Sequence, residues 1–173
     1  QVPDAKNFHD TLKVLKSIRK ILPSDWFIYY KEHPAVFSMQ FETHLTKKKD
    51  FYSILNKISN LYIVNLNFDK NDLLRNSNFT ITTTGEIGMQ SVINNVPTLN
   101  LGNAWYSSCP GVVHVENLNH LKKGIKKIKK IKKINIKNIY FFFKKIKNKN
   151  IDKNKKNKNL KWTNYEKFEK NKK

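Results

Sequence analysis

The stretch from Phe79 to Gly102 constrains the fold of this chain more than any other. Phe79-Thr80-Ile81-Thr82 is aromatic and β-branched, and reads as a strand. Thr83-Thr84-Gly85 is a small polar turn. Glu86 to Asn95 reads as a helix of about two to three turns. Pro97 ends it, and Thr98 to Leu101 forms a second apolar strand. Strand, helix and strand in that order make the repeating unit of parallel sheets. The turn has two readings. In one, Thr83 or Thr84 simply caps the helix. In the other, the turn receives an anion: the first helical N–H groups have no partner within the helix, the hydroxyls add donors, and Gly85 allows close approach.

The rest of residues 1–116 repeats the alternation. Phe8, Leu12, Leu15, Ile18, Ile21 and Leu22 recur at spacings of three and four, which predicts an amphipathic helix from Asn7 to Leu22, stopped by Pro23. Trp26 to Tyr30 is a buried strand, closed by His33-Pro34. Residues 35–48 read as a loop. Asp50 to Ser59 is helical, Leu61 to Leu66 a strand, and Asp69 to Asn76 a short helix capped by Asp69. Trp105-Tyr106 and Pro110-Gly111 lie in a loop before a brief strand, Val112 to Val115, and a helix opens at Asn117. Five all-apolar strands separated by helices predict one parallel sheet with helices on both faces. Ligands of such sheets sit at the carboxyl ends of the strands. His33, the 66–70 loop, Thr83–Gly85 and Gly102–Tyr106 fall there.

Charge divides the chain. Residues 1–116 hold 12 Lys and Arg against 10 Asp and Glu, whereas residues 117–173 hold 22 against 3. A nearly neutral α/β domain over 1–116 is therefore expected to carry a basic helical extension over 117–146, with Ile125, Ile128, Ile131 and Ile134 as its apolar stripe. Residues 147–173 form a Lys- and Asn-rich tail; 147–159 lack the apolar area that ordering requires, and 160–168 read as a weak helix. The tail has three readings: contact with an anionic membrane surface, contact with nucleic acid, or compositional drift toward Lys, Asn and Ile. Abundant Asn elsewhere favours drift, and a single aromatic clump, Tyr140 to Phe143, disfavours nucleic acid. Lone Cys109 excludes a disulfide within the chain and reads as inert. No apolar run approaches the ~18 residues of a membrane span. His9, His44, His114 and His120 lack metal-ligand spacing, and no phosphate loop, dinucleotide fingerprint or nucleophile elbow is present, so no metal and no cofactor are expected. The opening at Gln1-Val2-Pro3, as though just leaving a strand, suggests a piece of a longer protein.

Each candidate has a plainer alternative. His33 donates to a phosphate, or merely bonds a backbone carbonyl at a strand end. Glu86 suits the first turn of a helix for structural reasons. Gln90, one turn further on the same face, reaches a ribose or faces solvent. Trp105 and Tyr106 close the site or cap the sheet.

Taken in order, Phe27-Ile28-Tyr29-Tyr30-Lys31-Glu32-His33-Pro34, Asp50-Phe51-Tyr52, Thr82-Thr83-Thr84-Gly85-Glu86-Ile87-Gly88-Met89-Gln90, Pro97, Gly102-Asn103-Ala104-Trp105-Tyr106 and Pro110-Gly111-Val112 resemble the capsule polysaccharide biosynthesis family of bacterial glycosyltransferases, which includes β-Kdo transferases. The resemblance covers roughly 1–116. It implies a Rossmann-like parallel sheet forming the C-terminal, donor-binding half of a GT-B fold. It implies a nucleotide-sugar substrate, CMP-ulosonic acid first and UDP-sugar next. It implies phosphate contacts from His33, Thr83, Thr84 and Gly85, ribose contact from Gln90, and Glu86, Trp105 and Tyr106 lining the site. It further implies a polysaccharide or glycolipid acceptor held by an N-terminal domain that also supplies the catalytic base, and a cytoplasmic place; the Lys-rich tail, outside the resemblance, is what would make it peripheral to the inner membrane. Two positions depart from the family: Gln90 stands where Glu is usual, and Ser91 where Ala is usual. Two rival functions remain at this point: a non-enzymatic basic protein whose tail binds membrane or nucleic acid, and a nucleotide-sugar epimerase of the same architecture.

Overall fold

The computed structural model describes Phe8, residues 10–33, Val36 and residues 50–154, with side chains described to residue 147. Pro34, most of the 35–48 loop, His9, His44 and residues 155–173, including the helix expected at 160–168, lie outside the described residues. Helix α1 (Thr11–Ile21) starts later than the apolar periodicity suggests, because Asp10 caps it by accepting from the Lys13 N–H at 3.0 Å. Val14, Leu15 and Ile18 form its buried stripe. The Arg19 guanidinium then donates to the carbonyls of Leu22, Pro23 and Trp26, which fixes the turn into strand β1 (Ile28–Lys31).

Helix α2 (Phe51–Asn56) leads to β2 (Leu61–Val64) through Asn60, whose φ of 54° lies in the left-handed region that Asn tolerates. Helix α3 (Lys70–Arg75) is capped by Asp69, as its sequence predicts. Strand β3 (Thr80–Thr82), helix α4 (Ile87–Ile93) and strand β4 (Thr98–Asn100) follow, then β5 (Val112–His114), α5 (Leu118–Ile128) and α6 (Ile136–Asn154).

Every ladder is parallel. The expected single sheet is nevertheless interrupted. Among the described residues β1 pairs with β2 alone, Ile28 opposite Leu61, and the other three strands run in the order β3-β4-β5, with Leu99 between Ile81 and Val113. Helices α1 and α5 cover one face of the three-stranded sheet: Val14, Ile18, Leu121, Ile125 and Ile128 meet Leu99, Leu101, Val113 and Val115. On the other side, Met89 and Val92 of α4 cluster with Tyr106, Cys109 and, from α6, Ile139 and Phe143. A third cluster joins Leu15 to Phe51, Leu55 and Leu61 beneath β1 and β2.

The basic extension also differs from a single long helix. It breaks over residues 129–135. The break lets Ile131 pack on the first cluster and drops Ile134 into the second, beneath Gly111, while the Ile134 N–H donates to Asn95 Oδ1 at 2.8 Å. The backbone of α6 stays helical to Asn154, into the stretch whose composition predicts no order. Residues 117–146 thus supply side chains to two clusters, with their lysines outward.

Burial of Cys109 beside Met89 and Tyr106 pushes its thiol from an ordinary 9.0 up to about 12. The folded state thereby favours the neutral thiol. The contribution is whole below about pH 9 and is lost as pH rises toward about 12. Iodoacetamide at pH 8 is accordingly expected to modify Cys109 slowly in the native protein and rapidly in urea; equal rates in both states would contradict this packing.

Candidate functional site

Strand β4 is the source of the site. Its three residues are all buried, and they alternate. Leu99 faces the α1–α5 core, while Thr98 and Asn100 face the opposite side. A buried polar side chain costs free energy unless bonded. Thr98 Oγ1 donates to the Gly88 carbonyl at 2.7 Å, tying β4 to α4. One turn on, the buried Ser91 hydroxyl donates to Val96 O at 2.9 Å and so must accept from Thr80 Oγ1 at 2.8 Å.

Asn100 is the hub. Its Nδ2 donates to the Thr83 carbonyl, which identifies the amide's orientation. Oδ1 must then accept, so His114 Nδ1, 3.2 Å away, carries a proton and donates it. The Ser107 hydroxyl offers one proton to two acceptors, Asn100 Oδ1 at 2.7 Å and Ala104 O at 2.6 Å. The Tyr106 hydroxyl donates to the Gly85 carbonyl from below. Burial, and then the charge of Glu86, raises that phenol to about 12, so it is a neutral donor. Two of the turn's three carbonyls, at Thr83 and Gly85, are therefore held from the protein interior.

That support leaves the outer side of the turn open. Thr83, Thr84 and Gly85 are partly exposed. Neither threonine caps α4: the cap position is Glu86, which makes no side-chain bond, and Thr82 Oγ1 instead accepts from the Gly85 N–H at 3.2 Å. The N–H groups of Glu86 and Ile87 find no backbone acceptor among the described residues. Glu86 is exposed and Gln90 half-buried. Tyr106 lies wholly in the interior, and Trp105, 48% exposed, stacks on Phe142 of α6 with ring centres 6.4 Å apart.

His33 is exposed just past β1. Its N–H donates to Glu32 Oε1 at 3.3 Å, and the Glu32 carboxylate also accepts from the hydroxyls of Tyr30 and Tyr52. Lys31 Nζ donates to the carbonyls of Asn65 and Leu66, which holds the loop after β2. Thr83, Gly85 and Tyr106 thus come together at the turn, whereas His33 sits on the other ladder, and no backbone pairing among the described residues fixes its distance from the turn. Two surface hollows lie elsewhere, one of about 430 Å³ beside Arg19, Ser24 and Asn60, the other of about 310 Å³ over Tyr29, Tyr62, Phe68 and Leu73.

Sequence reasoning overlooked Asn100, Ser107 and His114. The available signal was Thr98-Leu99-Asn100-Leu101, polar residues alternating in a strand otherwise fit for burial on both faces. No helix among the described residues is long and apolar enough to cross a membrane. No curated protein and no solved structure matches the chain. The family model described as capsule polysaccharide biosynthesis protein matches residues 4–140, which carries the likeness past residue 116 and through α5. The chain belongs to the capsule polysaccharide biosynthesis protein family.

Proposed function

We propose that this chain forms the donor-binding half of a GT-B glycosyltransferase that builds capsule or other surface polysaccharide. The observation that carries the reading is the β3–α4 turn. Its Thr83 and Gly85 carbonyls are tied down by Asn100 and Tyr106, and its hydroxyls and the N–H groups of Glu86 and Ile87 are left for a ligand. Such donors suit a phosphate. The donor is a nucleotide sugar, CMP-ulosonic acid ahead of UDP-sugar, with its phosphate against Thr83, Thr84 and Gly85. His33 approaches from the end of β1, and Gln90 bonds the ribose. In the whole enzyme an acceptor hydroxyl, on a polysaccharide or glycolipid held by a further domain, displaces the nucleotide. The turn and His33 stabilise charge on the departing phosphate. The reaction lies on the cytoplasmic side, and the outward lysines of 117–146 rest against anionic lipid.

Calorimetric titration tests this reading. CMP is expected to bind saturably and more tightly than UDP. His33→Ala should weaken CMP about tenfold, the loss of one hydrogen bond to a charged group. A folded sample that shows no saturable binding, or a His33→Ala protein that binds CMP as before, would overturn it.

A further inference from the structure

We propose that the outer face of α6 is where this protein meets anionic lipid, with the Phe141 ring inserted between headgroups and Lys137, Lys144 and Lys145 on the lipid phosphates around it. The inference rests on the lipid contact in the proposed function and narrows that contact to one helix. Phe141 is 60% exposed, more than any other large apolar side chain among the described residues. Lys137, Lys144 and Lys145 stand three or four positions from it along α6, so they flank it on the helix surface, and all three are exposed. Ile139 and Phe143, two positions to either side, are buried in the cluster with Met89 and Val92. The core therefore makes no use of Phe141, and α6 carries apolar side chains on two opposite faces.

Charge alone does not select α6. Residues 117–151 hold no Asp or Glu, and α5 carries a lysine patch of its own in Lys122, Lys123, Lys126 and Lys127. The apolar side chains of α5 all point inward: Leu121, Ile125 and Ile128 are each at most 2% exposed, and Leu118 packs on the same cluster. Helix α5 can thus offer a membrane only charge, whose pull salt screens. Firm attachment takes charge together with an apolar group that enters the bilayer. The two helices also lie on opposite sides of the three-stranded sheet. Packed layers are ~10 Å apart, which puts α5 roughly 20 Å from α6. A flat bilayer against the outside of one cannot touch the outside of the other.

Two comparisons within the molecule favour lipid as the occupant and α6 as the place. Trp105, half exposed, stacks on Phe142, the residue next to Phe141, and extends the aromatic surface beyond the helix. Indole rings settle at the headgroup level of a bilayer. The other exposed aromatic surface, Tyr29, Tyr62 and Phe68 on the β1–β2 ladder, adjoins α3, where Lys70 and Arg75 are balanced by Asp69 and Asp72. It has no net charge to draw anionic lipid. Nucleic acid suits α6 less well, because bases stack on successive open rings. Of the aromatic run Tyr140 to Phe143, only Phe141 is exposed.

Co-sedimentation of the full chain with vesicles tests this, using phosphatidylcholine alone and phosphatidylcholine mixed with phosphatidylglycerol, at about 0.15 M salt. The chain is expected to bind the mixed vesicles and to leave the neutral ones. Phe141→Ser should weaken that binding about tenfold, the loss of one inserted ring. Phe141 belongs to none of the buried clusters, so serine there leaves the fold intact. Changing Lys122, Lys123, Lys126 and Lys127 together to Gln should weaken binding less than about twofold, because charges more than ~8 Å from the surface are screened. Insertion is read separately. A polarity-sensitive dye on Phe141→Cys should brighten on the mixed vesicles, and the same dye on Lys123→Cys should not; buried Cys109 takes up little label. A Phe141→Ser protein that binds as before, an α5 variant that loses as much, equal binding to neutral vesicles, or an unchanged dye at position 141 would overturn the assignment to α6 while leaving lipid contact in place. Mixed vesicles left unbound, whether or not a DNA duplex binds, would overturn both.

Discussion

Asn100→Leu is expected to lower unfolding free energy by about 2–4 kcal/mol in urea titrations, although Leu matches Asn in size. The cost arises because the substitution strands the Thr83 carbonyl, which only Asn100 holds among the described residues, and deprives His114 Nδ1 of its acceptor, while Ser107 keeps Ala104 O. A polar group left unpaired in the interior costs ~1–3 kcal/mol, and Thr83 and His114 are only partly covered. Asn100→Asp separates this account from a simple packing defect. A carboxylate preserves shape and accepts from His114 and Ser107, but it cannot donate to Thr83. Asn100→Asp should therefore fall close to Asn100→Leu. An Asp variant as stable as the parent would show that the Thr83 bond contributes nothing.

Gly88→Ala is the second substitution with a large expected effect, and its sign is diagnostic. In an exposed helix interior, Gly→Ala stabilises by ~1 kcal/mol. At Gly88 the new methyl group would meet the Tyr106 hydroxyl, with Tyr106 Cε2 and Thr82 Cγ2 each at 2.9 Å. Tyr106 is wholly buried and cannot step aside without releasing the Gly85 carbonyl. Overpacking of this kind costs ~1–3 kcal/mol. Gly88→Ala should thus destabilise by about 1–3 kcal/mol, and Tyr106→Phe in the same chain should recover part of the loss by removing the nearest atom. A Gly88→Ala protein with raised thermal stability would mean that Tyr106 does not pack against α4 as described.

These two sites show which parts of the molecule a sequence exposes. Local physics was legible. Asp69 caps the helix that follows it as the sequence predicts, through a bond to the Asn71 N–H two residues on, whereas the Asp10 cap was missed and the first helix was expected to start too early. The parallel sense of the strands was legible too, because all-apolar strands separated by helices leave few alternatives. Nonlocal pairing was not. Nothing in Tyr29 or Ile81 announces that their backbone edges find no ladder partner among the described residues. A buried Asn within a strand signals a polar network without naming its partners, here 17 residues back, at Thr83, and 14 ahead, at His114. The turn itself was found from its Thr and Gly content, but the wrong threonines were candidates for the cap, since Thr82 at the strand end makes the side-chain bond.

Charge misdirected the reading of α5. Lys122, Lys123, Lys126 and Lys127 dominate its composition, which invites treatment as an appendage. Leu121, Ile125 and Ile128 between them are each at most 2% exposed. Gly124 is there because Val115 and Leu99 press against it, with Leu99 Cδ1 3.2 Å from where a methyl group would sit. A chain cut after Glu116 would lose one wall of its main cluster, so its failure to bind nucleotide would report unfolding rather than a role for the lysines.

The covering of α4 by α6 sets a timetable for biosynthesis. Met89 and Val92 wait for Ile139 and Phe143, about fifty residues later, before their cluster closes. A ribosome making this protein would release α4 and the Thr-Gly turn well before their covering helix exists. Contacts so distant along the chain form slowly. Closure of this cluster thus comes well after the turn has been made, and the emerging half-sheet is the species that chaperones meet.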